Sequence, residues 1–169
     1  MIEPIWKSYI ATTAYPVLNP QQCDELIRIG QSEPQIKGKT SMNDADSQKY
    51  RKSTISWIPF TNTQAVPLYK VISQWVERIN NNSFGFDTIQ LTEAGQYAEY
   101  SKRGFYNWHM DSSTKMITMP PVRKISMTLL LNDPKEFEGG YLQIFCDNLL
   151  DSEKSKIKLE RGYAVFFAS

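Results

Sequence analysis

The stretch YAEYSKRGFYNWHMD, residues 97–111, decides how the rest of this chain is read. Two short runs rich in aromatic residues flank Gly104 and predict strands over 95–100 and 106–111. The second run ends in the only histidine of the sequence, His109, with Asp111 two residues later. In a strand, residues i and i+2 point to the same face, so His109 and Asp111 aim an imidazole nitrogen and a carboxylate oxygen at one point. That pairing suits a borderline divalent metal and makes up two of the three ligands of a 2-His-1-carboxylate facial site. A lone His-x-Asp is common in chains of this size, so its meaning depends on what surrounds it.

The chain that follows reads as almost wholly β. Strands are predicted over 88–91, over 123–132 (RKISMTLLLN), over 141–146 and over 163–167. Asp133-Pro134 and Gly139-Gly140 mark turns, and 116–121 reads as a loop because of Pro120-Pro121. A charged excursion, DSEKSKIK, precedes the last strand. Before residue 86 the pattern differs. A strand is predicted over 6–15, then a helix with Asn19 as N-cap and Pro20 at its first position, with Cys23, Leu26 and Ile27 on one face. A second strand, 53–60, leads to a helix over about 62–80, ended by the asparagines 80–82 and Gly85. Short strands with helices gathered at the front predict a mainly β jelly-roll or sandwich backed by helices. It reads as one domain, with a helix-rich front (1–85) and a β core (86–169).

Between these elements, 32–52 (SEPQIKGKTSMNDADSQKYRK) has no apolar period. Such a stretch reads as a solvated, mobile loop or, given its length, as a flap over a substrate. The net charge of +1 gives no bulk electrostatic pull toward nucleic acid or an anionic membrane. No apolar run has the length of a membrane span, and MIEPIWKSY lacks a signal-peptide core. Cys23 and Cys146 have no metal-ligand spacing and read as buried thiols of a reducing, cytoplasmic compartment.

Three features then fall in order along the chain. They are Tyr-x(8)-His-x-Asp (Tyr100, His109, Asp111), Arg-Lys-Ile-Ser-x-Thr-x-x-Leu-Asn from Arg123, and Glu-Gly-Gly-x-Leu-x-Ile-Phe from Glu138. Together, over about 93–167, they resemble the iron- and 2-oxoglutarate-dependent dioxygenases of the prolyl 4-hydroxylase type.

The resemblance implies a double-stranded β-helix (jelly-roll, cupin-like) that uses Fe(II), 2-oxoglutarate and O2, with ascorbate as a further possible requirement. His109 and Asp111 match the first two iron ligands. Tyr100 matches a tyrosine whose hydroxyl contacts 2-oxoglutarate, while Thr128 and Leu142 match positions lining the cosubstrate pocket. Ser126, Thr128 and Leu130 share one strand face, which is expected to look into the barrel. Tyr106, Arg123 and Glu93 match positions that face the substrate. No catalytic residue beyond the metal ligands is implied. The implied reaction is hydroxylation of a prolyl residue in a peptide or protein, with neither nucleic acid nor membrane as partner. Oxidation of a free amino acid or other small molecule stays open as an alternative, as does a non-catalytic binding module on the same scaffold.

One departure stands out. The family places a histidine shortly after the strand that reads here as YAVFFAS, and an Arg or Lys further on that pairs with the far carboxylate of 2-oxoglutarate. The sequence holds a single histidine and stops at Ser169. The expectation is therefore a domain either truncated before its C-terminal strands, which an end right after an apolar strand favours, or naturally incomplete, and in either case inactive without the missing ligand.

Overall fold

A computed structural model describes residues 8–39, 49–87, 89–111, 121–145 and 156–169. Asn19 and Pro20 open the first helix, α1 (Pro20–Ser32), as their types predict. The Asn19 side chain accepts from the Gln22 N–H while the Gln22 side chain accepts from the Asn19 N–H, so two otherwise orphaned donors are satisfied reciprocally. Cys23 and Ile29 are buried from this helix, with Leu26 and Ile27 packed beside them. The second helix, α2 (Val66–Ile79), starts later than the sequence pattern suggests. Asn62 instead caps a preceding turn, its Oδ1 accepting from the N–H groups of Gln64 and Ala65. α2 then runs into a π-helical turn (Asn80–Phe84), closed by Gly85 at φ 72°, a left-handed position that favours glycine.

The described strands are β1 (Ile10–Thr12), β2 (Ile36–Lys37), β3 (Arg51–Lys52), β4 (Thr54–Ile58), β5 (Gly95–Glu99), β6 (Phe105–Tyr106), β7 (Ile125–Leu129), β8 (Leu142–Gln143), β9 (Lys156–Ile157) and β10 (Ala164–Ala168). They form two three-stranded sheets, ordered β1-β10-β7 and β2-β4-β5, and two two-stranded ladders, β3-β6 and β8-β9. Every pairing is antiparallel. The front of the chain is knitted into the back, since β1 pairs with β10 and β4 pairs with β5.

The core lies between the helices and one face of these sheets. Ile29, Leu68, Val76, Ile79, Ala164 and Phe166 pack together, with Ile125, Met127, Leu129 and Leu131 of the β7 region against them. Because side chains alternate along a strand, Ser126, Thr128 and Leu130 occupy the face of β7 turned away from the helices. α1 is locked to β4 by Ser56, whose hydroxyl donates to the Gly30 carbonyl at 2.6 Å in a fully buried position. Gly30 itself lies under the Tyr97 ring, where a Cβ would meet Tyr97 Cγ at 2.3 Å.

Several predicted elements differ from what forms. The first strand is only Ile10–Thr12 among the described residues, and 89–91 is not a strand although Ile89 and Leu91 pack on the core. The strand expected over 106–111 is the two-residue β6, so His109 and Asp111 lie just past its end in irregular backbone. β7 and β8 are likewise shorter than the apolar runs that predicted them. Apolar content marks what is buried, whereas strand length depends on how far a partner's backbone stays alongside. The stretch 32–52 is not wholly a loop: β2 pairs with β4, and β3 pairs with β6. The loop expected over 116–121 and Cys146 lie largely or wholly outside the described residues.

Candidate metal centre

His109 and Asp111 meet as their spacing predicts, although not through strand geometry. His109 Nε2 lies 3.2 Å from Asp111 Oδ1, with the two side chains 37% and 27% exposed. The other ring nitrogen, Nδ1, is 2.8 Å from the Asn107 carbonyl oxygen. A carbonyl only accepts, so Nδ1 carries the proton and donates. In the neutral ring this leaves a lone pair on Nε2, facing a carboxylate oxygen. Two such atoms held that close share either a proton, as an imidazolium–carboxylate pair, or a metal cation. Ligand atoms set at right angles around a metal, with bonds of about 2.0–2.2 Å, lie about 3 Å apart, close to the separation seen here. The donor chemistry and the spacing therefore fit a divalent metal ion. Among the described residues, no group of three or more His, Cys, Asp and Glu side chains forms around the pair.

The surroundings restrain both side chains. The Tyr106 ring stacks on the His109 imidazole, with centroids 3.6 Å apart and planes 13° from parallel. Burial raises the Tyr106 hydroxyl above its ordinary pKa; the nearby Arg51 guanidinium opposes this, and the Asp111 carboxylate reinforces it. Arg123 holds Asp111 by its backbone, its Nη1 donating to the Asp111 carbonyl at 2.6 Å. The remaining edge of that guanidinium grips Glu93, with Nε and Nη2 donating to the two carboxylate oxygens at 3.1 and 2.5 Å. A planar fork on a carboxylate fixes orientation as well as charge. Arg123 and Glu93, both expected to face a substrate, are thus bonded to each other and to the ligand loop.

Tyr100 follows β5 directly and is 49% exposed, so it is no core aromatic. Thr128 is half-buried on β7 opposite Val165, and Leu142 half-buried on β8 opposite Ile157. Ser126 exchanges a 2.6 Å hydrogen bond with Ser169. A hollow of about 460 Å³, lined by Trp108, His109, Met110 and Phe145, opens beside the imidazole. Trp108, read from its alternation as packing, is 60% exposed, and Met110 is 86% exposed.

Sequence reasoning missed Arg51 and Asn107. Arg51 is only 4% exposed, donates to Ser53 Oγ at 2.8 Å and Gln96 Oε1 at 2.7 Å, and lies 4.4 Å from the Tyr106 ring centroid. The available signal was a period of two running back from β4, with Ile55, Ser53 and Arg51 on alternate positions. A charged side chain at the inner position hid it.

The family described as the 2OG-Fe(II) oxygenase superfamily matches residues 95–169. A PKHD-type hydroxylase of Shewanella frigidimarina (strain NCIMB 400) is 33% identical over 76 residues, which is 43% of this chain and 32% of that protein. The match thus spans about a third of the length of that curated relative. The crystal structure of a Pseudomonas putida prolyl-4-hydroxylase superposes with a TM-score of 0.62 at 19% identity, over 95% of this chain and 81% of the other. That structure establishes a shared fold, a mainly β jelly-roll with supporting helices. The family match takes in Tyr100, His109, Asp111, Arg123, Thr128 and Leu142. Over residues 95–169, less than half of its length, this chain is similar to the 2OG-Fe(II) oxygenase superfamily.

Proposed function

We propose that this chain carries the iron- and 2-oxoglutarate-binding part of an oxygenase that hydroxylates a prolyl residue in a peptide or protein. The observation that carries the reading is the pair of unshared donors, His109 Nε2 and Asp111 Oδ1, facing each other at 3.2 Å with Nδ1 already committed to Asn107. His109 and Asp111 would hold Fe(II). When bound, iron with 2-oxoglutarate and O2 supplies an oxidative decarboxylation that yields succinate and inserts one oxygen atom into the substrate. The chain's own part is binding and orientation. Tyr100 offers a hydroxyl to a 2-oxoglutarate carboxylate, and Thr128 and Leu142 supply a polar and an apolar wall for the cosubstrate.

The hollow beside His109 supports a substrate with an apolar face. Trp108, Met110 and Phe145 present aromatic and thioether surface there, suited to a small aliphatic ring. On this reading Tyr106, Arg123 and Glu93 border the approaching substrate. Among the described residues no third His, Cys, Asp or Glu joins the pair, and ascorbate serves to keep the iron reduced. We place the protein in the cytoplasm. This is supported by Cys23, a buried free thiol, and by the observation that no helix among the described residues is long and apolar enough to cross a membrane.

The test is to titrate Co(II) into the chain and its His109→Ala and Asp111→Ala variants, then assay the full gene product with iron, 2-oxoglutarate and prolyl peptides. Binding that disappears in both variants, with peptide-dependent succinate release, is the expected result. Metal binding indifferent to both substitutions would remove the site. Succinate release stimulated by a free amino acid but by no peptide would move the substrate to the small-molecule class.

A further inference from the structure

We propose that β3 and Asn107 together form the positioning element for His109, selecting the ring tautomer and aiming Nε2 at the metal position. This rests on the iron-binding reading of His109 and Asp111 and deepens it. Four contacts join the segment 49–52 to the segment 106–109. Arg51 pairs in register with Tyr106 across the β3-β6 ladder. The Asn107 N–H donates to the Tyr50 carbonyl at 2.8 Å, and Asn107 Nδ2 donates to the Lys49 carbonyl at 3.2 Å. Arg51 also sits against the Tyr106 ring, the same ring that stacks on His109.

The consequence for the imidazole follows from hydrogen-bond direction. The Asn107 peptide is clamped by its N–H on one side and by its side chain beyond, so its carbonyl is held where His109 Nδ1 meets it. In water a neutral histidine ring favours its proton on Nε2, the wrong form for a ligand that must offer Nε2. The partner of the other nitrogen decides the tautomer, and here that partner is the clamped carbonyl. Tyr106 meanwhile covers one face of the ring and restricts its rotation. Asn107 and His109 are themselves exposed, so the rigidity comes from Arg51, buried and tied to Ser53 and Gln96. The closing edge of the stretch 32–52 is therefore part of the metal site rather than a detached flap. Asn107 is a positioning residue: it acts through His109.

Because His109 is the only histidine, its two ring-nitrogen resonances can be read without assignment ambiguity. The experiment uses the metal-free chain in mildly alkaline buffer, followed by Co(II) titration. The wild type should show a protonated Nδ1 and a bare Nε2. Asn107→Ala keeps the carbonyl and the N–H bond to Tyr50 but frees the side-chain tether to Lys49, so it should give a partial mixture of tautomers and weaken Co(II) binding by up to about tenfold, the low end of the range for a disturbed partner of a metal-bound histidine. Asn62→Ala breaks a capped turn elsewhere and serves as the control for general destabilisation; its ring signals should match the wild type. A wild-type ring carrying its proton on Nε2 would overturn the proposal. So would an Asn107→Ala chain with unchanged ring signals and unchanged Co(II) affinity. If the ring behaves as described in both proteins but Co(II) fails to bind the wild type, the positioning role stands and the iron reading fails.

Discussion

Replacing Arg123 by alanine separates a residue that holds the ligand loop from one that meets only substrate. Arg123 makes two kinds of contact here. Its Nη1 bond to the Asp111 carbonyl, at 2.6 Å and partly buried, is a charge-assisted hydrogen bond worth about 1.5–3 kcal/mol. Its fork on Glu93 joins side chains 24% and 40% exposed, and solvent screening holds such a pair to about 0.2–1 kcal/mol. Arg123→Ala should therefore cost about 2–3 kcal/mol, whereas Glu93→Gln should cost under about 1 kcal/mol. Urea unfolding of the three proteins measures the difference, provided the slopes agree. Releasing the Asp111 backbone should also weaken Co(II) binding about tenfold in Arg123→Ala, the size expected when a ligand loses its outer support. Glu93→Gln should bind Co(II) like the wild type. If Arg123→Ala is no less stable than Glu93→Gln and binds Co(II) normally, the bond to Asp111 does not hold the loop. A substrate-contacting arginine would instead raise KM and leave both quantities unmoved.

Further outcomes follow from other contacts. Tyr100→Phe removes only a hydroxyl from a side chain that is 49% exposed, so stability should hold. Affinity of the full gene product for 2-oxoglutarate should fall roughly 10- to 100-fold, measured by succinate release, and an unchanged dependence would take Tyr100 out of the site. Burial, reinforced by the neighbouring Glu99, raises the Tyr97 hydroxyl far above the tyrosine range. Above about pH 10 the unfolded chain gives up that proton while the folded chain keeps it, so Tyr97 should subtract about 1.4 kcal/mol of stability per pH unit. Denaturation curves of wild type and Tyr97→Phe at rising pH should diverge with that slope; parallel curves would show that Tyr97 ionises equally in both states. Gly30→Ala puts a Cβ against Tyr97 Cγ at 2.3 Å, next to the rigid root of that ring. It should cost about 1–3 kcal/mol, read as a lowered Tm.

The sequence alone determined the chemistry that could be present. One histidine with an aspartate two residues later, a tyrosine nine residues before it, and two downstream motifs pointed to a candidate metal pair and to a resemblance, which the family match over residues 95–169 supports. The helix start was equally legible, because Asn19, Pro20 and Gln22 act within one turn of each other. What reads well in sequence is local: caps, periods and spacings act over a few bonds. The tertiary structure decided what depends on segments brought together from afar. β3 reaches the metal loop across more than 50 residues of chain, to pair Arg51 with Tyr106 and to clamp Asn107. Arg51 looked like surface charge because nothing nearby in sequence reveals that it will be 4% exposed. The convergence of His109 and Asp111 was foreseen, but its cause was not. A strand was expected to align them, whereas irregular backbone held by the Asn107 carbonyl and the Arg123 guanidinium does so. Residue identity limits which bonds can form, but only the folded chain sets which donors and acceptors lie within reach of one another.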